Sequence, residues 1–170
     1  YICCYCQQRI LDNHIAKIEH ILPRLGDNAC SNIFDYENLI LSCDGGSSPH
    51  YPKPRELHCN AAKGEKTIPI NPLQKNCEEQ FIYDFEGYIH PKENSNEAEQ
   101  TIRILNLNMK SKKLVNLRKE IIDSFLYIDN ELISNEELLI LKSKLSQRDN
   151  NQKFEPFSAA IINLIKQIMK

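Results

Sequence analysis

Two short stretches hold the residue types from which a hydrolytic site could be assembled. Lys17-Ile18-Glu19-His20-Ile21-Leu22-Pro23-Arg24 sets a carboxylate beside an imidazole, followed by a proline and an arginine. Further on, His58-Cys59-Asn60-Ala61-Ala62-Lys63-Gly64 offers a carboxamide and a lysine three residues apart, on one face if a helix begins there. An imidazole that can take a proton, two hard oxygen donors for a cation and side-chain cations for phosphate are the parts of a phosphodiester-cleaving site. In that assignment His20 is the general base that activates water. Glu19 and the side-chain carbonyl of Asn60 ligate Mg2+ or Mn2+, and Lys63 and Arg24 face phosphate oxygens. Asn38 bonds loop backbone through its amide and so holds His20, a plain turn or cap role being the alternative. A Glu-His pair by itself is most often surface decoration; the Asn60 and Lys63 segment turns the balance.

The cysteines suggest a second kind of site. Cys3 and Cys6 have CxxC spacing, and Cys43 and Cys59 each stand at the edge of a segment just described. Four thiolates in a tetrahedron would close a structural zinc site and pin the N-terminus to the return loop. The alternative is four buried free cysteines. Cys4 could replace Cys3, but Cys4-Tyr5-Cys6 is too tight for the usual knuckle, and Cys30 and Cys77 read as ordinary cysteines. Seven cysteines is an odd number, with three crowded near the N-terminus. That suits metal ligation in a reducing cytoplasm better than a disulfide framework. His58, beside Cys59, is open between a metal or DNA contact and a structural role.

Those residues need elements to carry them. Residues 1–11 read as a knuckle running into a short apolar stretch, with a turn at Asp12-Asn13. Residues 15–22 alternate as a strand of a short hairpin that Pro23 ends. On a strand, neighbours point to opposite faces, so Glu19 and His20 share a site only if a bend or bulge lies there. Residues 36–41 form a helical turn or lead into a second strand, 44–54 is an irregular surface stretch, and 60–66 forms a short helix. Knuckle, strand, loop, return segment and short helix make the order of a ββα metal-binding nuclease module. Residues 81–89 read as a hairpin around Glu86-Gly87, and from Glu97 the pattern turns helical. Four apolar stripes follow: Ala98, Ile102 and Leu105; Leu114, Leu117, Ile121, Phe125 and Ile128; Leu138, Leu141 and Leu145; and Phe157, Ile161, Leu164 and Ile168. Pro156 suits a first helical turn. The expected class is α+β: a small zinc-stapled ββα-metal module over residues 1–70, then a hairpin and a mainly helical extension over 71–170.

The chain of 170 residues carries 21 basic and 23 acidic side chains, a net charge of −2. A strongly basic nucleic-acid binder is excluded as an overall description, so DNA contact would come from a local patch or a partner. The one dense basic run, Lys110-Ser111-Lys112-Lys113 with Arg118 and Lys119, could track a DNA backbone or be a solvated helix face. No stretch approaches the roughly 18 apolar residues of a membrane-spanning helix, and no signal-peptide pattern opens the chain. The expectation is a soluble, cytoplasmic protein without a membrane partner, a short segment having preceded Tyr1.

With Cys3-x-x-Cys6, Glu19-His20, Asn38, Cys43 and Cys59-Asn60-x-x-Lys63-Gly64 assembled, the chain resembles an HNH endonuclease. The segment Thr101-Ile102-Arg103-Ile104-Leu105-Asn106-Leu107-Asn108, followed by Leu117-Arg118, makes it similar to the PtuB nucleases of Septu and retron-linked anti-phage systems. The resemblance implies a ββα-metal fold with a structural zinc, metal-dependent cleavage of DNA, and a partner ATPase of PtuA type that holds and controls the nuclease. By motif position the base falls on His20, the metal ligands on Glu19 and Asn60, and the central asparagine on Asn38. Glu19 departs from the aspartate usual before that histidine, and the insertion between Cys43 and Cys59 is long. Two other readings compete: a non-catalytic zinc-stapled module that binds a partner through its helical tail, and a stand-alone HNH restriction endonuclease.

Overall fold

A computed structural model describes residues 1–11, 15–47 and 56–170. The expected turn at Asp12-Asn13, His14, His50 and most of the irregular 44–54 stretch lie outside the described residues. The first hairpin pairs β1 (Ala16–His20) with β2 (Leu39–Cys43) in antiparallel register, from Ala16 opposite Cys43 to His20 opposite Leu39. A single 3-10 turn at Tyr36–Asn38, capped by the Asp35 carboxylate on the Glu37 N–H, delivers the chain into β2. Both alternatives for residues 36–41 are therefore realised in succession. α1 (Cys59–Lys63) is barely more than one turn, shorter than a helix that stands alone in water, so its position depends on what it packs against.

The second half begins with the expected hairpin, β3 (Phe81–Tyr83) against β4 (Ile89–Pro91). Its turn is closed by the Asp84 side chain, which accepts from the Tyr88 N–H at 2.8 Å. Four longer helices follow: α2 (Asn96–Ile104), α3 (Lys113–Leu126), α4 (Asn135–Leu145) and α5 (Ser158–Ile168). Ser95 caps α2, and a reciprocal Ser134–Glu137 capping box starts α4. Between α3 and α4 a small hairpin, β5 (Tyr127–Ile128) and β6 (Glu131–Leu132), turns through Asp129 and Asn130, both at positive φ. Ile128 is therefore strand, not the end of the second helical stripe. α5 starts two residues beyond Pro156, which precedes the first turn instead of occupying it.

On α3 the buried face is Leu114, Val115, Arg118, Ile122 and Leu126, while Leu117, Ile121 and Phe125 are only half-buried. The buried face is rotated from the apolar stripe because a charged residue lies inside it. Arg118 donates to the Gly87 carbonyl and, at 3.0 Å, to the Leu107 carbonyl, and its guanidinium lies 5.8 Å from the Tyr83 ring centre. Gly87 permits this approach, since a Cβ there would sit 2.3 Å from the Val115 carbonyl oxygen. Arg118→Ala leaves two buried carbonyls without donors and a void, so urea unfolding should show a loss of about 3 kcal/mol. The basic run is accordingly not one surface. Arg118 is interior, and Lys119 pairs with Glu86 at 3.4 Å and Asp123 at 3.5 Å.

Most of the residues in the four stripes are spent inside the chain. One buried cluster joins Cys3, Tyr5, Cys6, Ile10, Cys43 and Cys59 to side chains of α2 to α5. Backbone bonds reinforce it: Cys59 N–H to the Leu105 carbonyl at 2.8 Å, and Phe157 N–H to the Gln7 carbonyl at 3.2 Å.

Candidate active site and metal centre

The N-terminal knuckle is a miniature hairpin. Ile2 bridges Arg9, Cys3 N–H donates to the Gln8 carbonyl at 3.0 Å, and Gln7 takes the positive φ that closes the turn. It presents Cys3 and Cys6 to Cys43 at the end of β2 and to Cys59 at the start of α1. The four sulfurs all lie within 4.8 Å of one another and are buried, Cys6 and Cys43 being 4.0 Å apart. Zn–S bonds of about 2.3 Å in a tetrahedron place sulfurs about 3.8 Å apart, so this donor set fits zinc. The thiols are unlike in acidity. Burial pushes the Cys59 thiol up, while contact with Cys4 leads the interactions that bring Cys3 down. Four sulfurs packed this closely cannot all ionise without a cation at the centre.

Gly45 brings the two halves of the cluster together. Its φ is positive, and a Cβ there would fall 1.9 Å from the His58 carbonyl oxygen and 2.8 Å from the Ala61 Cβ. Around the sulfurs, Gln8 donates to Cys43 Sγ at 3.6 Å, Ser42 Oγ lies 3.6 Å from Cys3 Sγ, and His58 Nε2 lies 3.9 Å from Cys43 Sγ. His58 thus supports the cysteine cluster from outside the sulfur set.

Directly beyond Cys59, α1 turns Asn60 and Lys63 toward β1. Lys63 is 1% exposed and Glu19 4% exposed. The Lys63 ammonium is 2.9 Å from Glu19 Oε1 and 2.8 Å from the His20 carbonyl oxygen. Asn60 Nδ2 donates to Glu19 Oε2, and the Tyr5 hydroxyl donates to Oε1 at 3.2 Å. An ammonium expected at a phosphate is therefore turned inward to neutralise a buried carboxylate. Tyr5 joins the group without a sequence signal, since nothing in its spacing sets it apart. Lys63→Met strands the Glu19 charge in the interior; urea unfolding should show a loss of about 3 kcal/mol, largely recovered in the Lys63→Met, Glu19→Gln double variant.

His20 takes the other direction. The β1–β2 ladder pairs residue for residue through His20, with no bulge, and the chain bends just after it. Its Nε2 lies 2.9 Å from the Ile33 carbonyl oxygen. A carbonyl only accepts, so Nε2 carries a proton, and in a neutral ring the lone pair falls on Nδ1. Asn38 fixes the segment behind it: its Oδ1 accepts from the Leu22 N–H at 2.7 Å and its Nδ2 donates to the Leu22 carbonyl at 3.2 Å. Arg24 stands at the edge, 3.9 Å from Glu65, whose carboxylate also accepts from the Arg24 and Leu25 N–H groups. Glu19, His20, Arg24, Asn60 and Lys63 all line one open cleft of about 300 Å³.

The oxygen donors in this cleft suit a hard cation. Rotating the Asn60 amide by half a turn would set its carbonyl oxygen beside Glu19 Oε2, a repulsive pairing that a divalent ion between them makes favourable. Elsewhere His90, for which the sequence suggests no partner, lies 2.7 Å from Asp84 on the second hairpin. Among the described residues, no helix is long and apolar enough to cross a membrane.

A tetracysteine centre able to hold zinc, joined to a strand hairpin and one short helix with a polar cleft beside it, places the chain among proteins of mixed α and β structure. No protein-family model matches the chain. It is 29% identical over 133 residues to a protein of Vibrio cholerae serotype O1 biovar El Tor named "Retron Vc95 putative HNH endonuclease". That match covers 75% of this chain and 60% of the relative, so the chain spans about three-fifths of the relative's length.

Proposed function

We propose that the chain is a divalent-metal-dependent HNH DNA endonuclease whose residues 1–70 form a zinc-stapled ββα-metal module. The observation that carries this reading is the shared cleft: a buried carboxylate and carboxamide in contact, and beside them an imidazole whose Nε2 is held by the Ile33 carbonyl. A divalent ion bound to Glu19 and Asn60 would supply charge stabilisation at the phosphate. His20 Nδ1 takes the proton of the attacking water, its ring held by the Ile33 carbonyl. Asn38 keeps the bend behind His20 in place, Arg24 meets a phosphate oxygen, and Lys63 holds Glu19 and the His20 backbone in register rather than touching the phosphate. Purified protein should nick plasmid DNA in Mg2+ or Mn2+, lose the activity on brief EDTA treatment and regain it with Mg2+ alone. No nicking in either Mg2+ or Mn2+, or nicking that persists in EDTA, removes the metal-dependent nuclease reading.

The retron named in the relative supports a nuclease of a retron-linked system; its place in an anti-phage defence complex controlled by a PtuA-type ATPase is carried by the sequence resemblance alone. With most of the helical stripes consumed internally, residues 71–170 offer Ile128, Leu132, Leu139 and Ile140, all exposed, as the docking patch. Co-purification of the ATPase, lost in Leu139→Glu with Ile140→Glu, tests it. A non-catalytic binding module is the second reading, favoured by the full engagement of Glu19 with Lys63, Asn60 and Tyr5. The nicking assay separates the two.

A further inference from the structure

Residues 21–38, which join β1 to β2, hold two aromatic rings in the open. Phe34 is 76% exposed and Tyr36 89%. The segment that carries them is tied down: Cys30 N–H donates to the Pro23 carbonyl at 2.8 Å, Phe34 N–H to Asn32 Oδ1 at 3.0 Å, and Asp35 N–H to the Asn32 carbonyl at 3.2 Å. Its firmest link to the cleft is the Ile33 carbonyl that holds His20 Nε2. The rings are thus mounted one and three residues from the atom that orients the imidazole. Leu22, Leu25 and Ile18 are exposed as well, and Ile18 lines the cleft.

We propose that Phe34 and Tyr36 are a stacking platform for unpaired bases of a single-stranded DNA substrate whose scissile phosphate lies beside His20. This rests on the nuclease reading above and adds the form of its substrate. An aromatic ring can stack only on a base whose face is free, and in a duplex both faces are covered by neighbouring pairs. Stacking also needs no positive charge. Asp35 and Glu37 beside the rings repel phosphate, so the strand's backbone must be met by Arg24 and the cleft while only its bases reach the rings. A protein partner could cover the same rings, but nothing in such an interface would call for their attachment to the His20 anchor.

The test is fluorescence anisotropy with a fluorescein-labelled single strand of mixed sequence, the same strand annealed to its complement, and an RNA strand of the same sequence. No divalent metal is added, so binding is read without cutting. The wild-type chain should bind the DNA single strand more tightly than the duplex. Phe34→Ala and Tyr36→Ala should each weaken single-strand binding about 5- to 100-fold and leave duplex binding unchanged. Phe34→Tyr and Tyr36→Phe should retain it. Equal affinity for strand and duplex, a single-strand affinity that neither alanine variant alters, or tighter binding of the RNA strand overturns the proposal. A chain that cuts DNA yet shows no single-strand preference overturns the platform and leaves the nuclease reading standing; one that prefers the single strand through both rings but cuts neither the strand nor plasmid in Mg2+ or Mn2+ overturns the nuclease reading, and the substrate role with it.

Discussion

Replacing His20 by alanine should lower the rate of metal-dependent nicking by about 10²- to 10⁴-fold, the usual contribution of a positioned general base. The geometry makes the substitution a clean one. His20 is only half-buried, and its ring bonds to the Ile33 carbonyl, which faces water readily once released. The carboxylate, lysine and carboxamide that make up the polar interior of the site are untouched. Thermal unfolding and zinc content should therefore match the wild type. Nicking assays on matched, metal-loaded samples decide the matter. Undiminished cleavage would take the proton-accepting role away from His20. A loss of cleavage accompanied by a lower unfolding temperature would mean that the Ile33 link is structural. His20→Gln separates the two parts of the role, because its amide nitrogen takes the place of Nε2 and can still donate to the Ile33 carbonyl but cannot take a proton at neutral pH.

Much of this site was legible in the sequence because its members are polar residues with few reasons to be clustered. Glu19, Asn60 and Lys63 are drawn together by the cost of burying a carboxylate without a cation and a donor, and short-range spacing discloses two of the three. The four cysteines were legible for a similar reason: thiols adjacent to functional segments at both ends of the hairpin have few other uses. Direction was harder to read. A lysine near a presumed phosphate site looks like a phosphate ligand, and only the fold shows that its ammonium, with 1% of its surface exposed, faces inward. Tyr5 was invisible because a hydroxyl reaching a carboxylate 14 positions away leaves no spacing signal. In the helical half, Asp129 and Asn130, residue types that tolerate the positive φ of a two-residue hairpin turn, stand between Ile128 and Glu131, and the helical periodicity that runs up to them masks the signal. Arg118 misleads a helical reading for a physical reason, since periodicity counts a guanidinium as surface even when two carbonyls and an aromatic face solvate it.

Stripping zinc should destabilise the chain more than any of the single substitutions proposed above. Structural zinc contributes about 10–16 kcal/mol of apparent binding free energy in small metal-folded peptides, as much as the whole stability of an ordinary domain. If even about 5 kcal/mol of that supports this chain, the unfolding temperature should fall by roughly 10–20 °C at this chain length. Dialysis against a zinc-selective chelator in mild denaturant, followed by calorimetry and elemental analysis, would measure it. Cys6→Ser and Cys59→Ser should reproduce the drop, and Cys30→Ser should not. An unchanged transition after complete metal loss would reduce the cluster to four buried thiols. Activity should follow the same metal for a local reason. α1 has five residues, its first is Cys59 of the sulfur cluster, and Asn60 and Lys63 follow within the same helix. A helix of that length holds no position without its anchor. Zinc-free protein should therefore stay inactive when Mg2+ alone is returned and recover only when zinc is restored first, because Asn60 and Lys63 reach Glu19 through the same short helix that the sulfur cluster holds against β2.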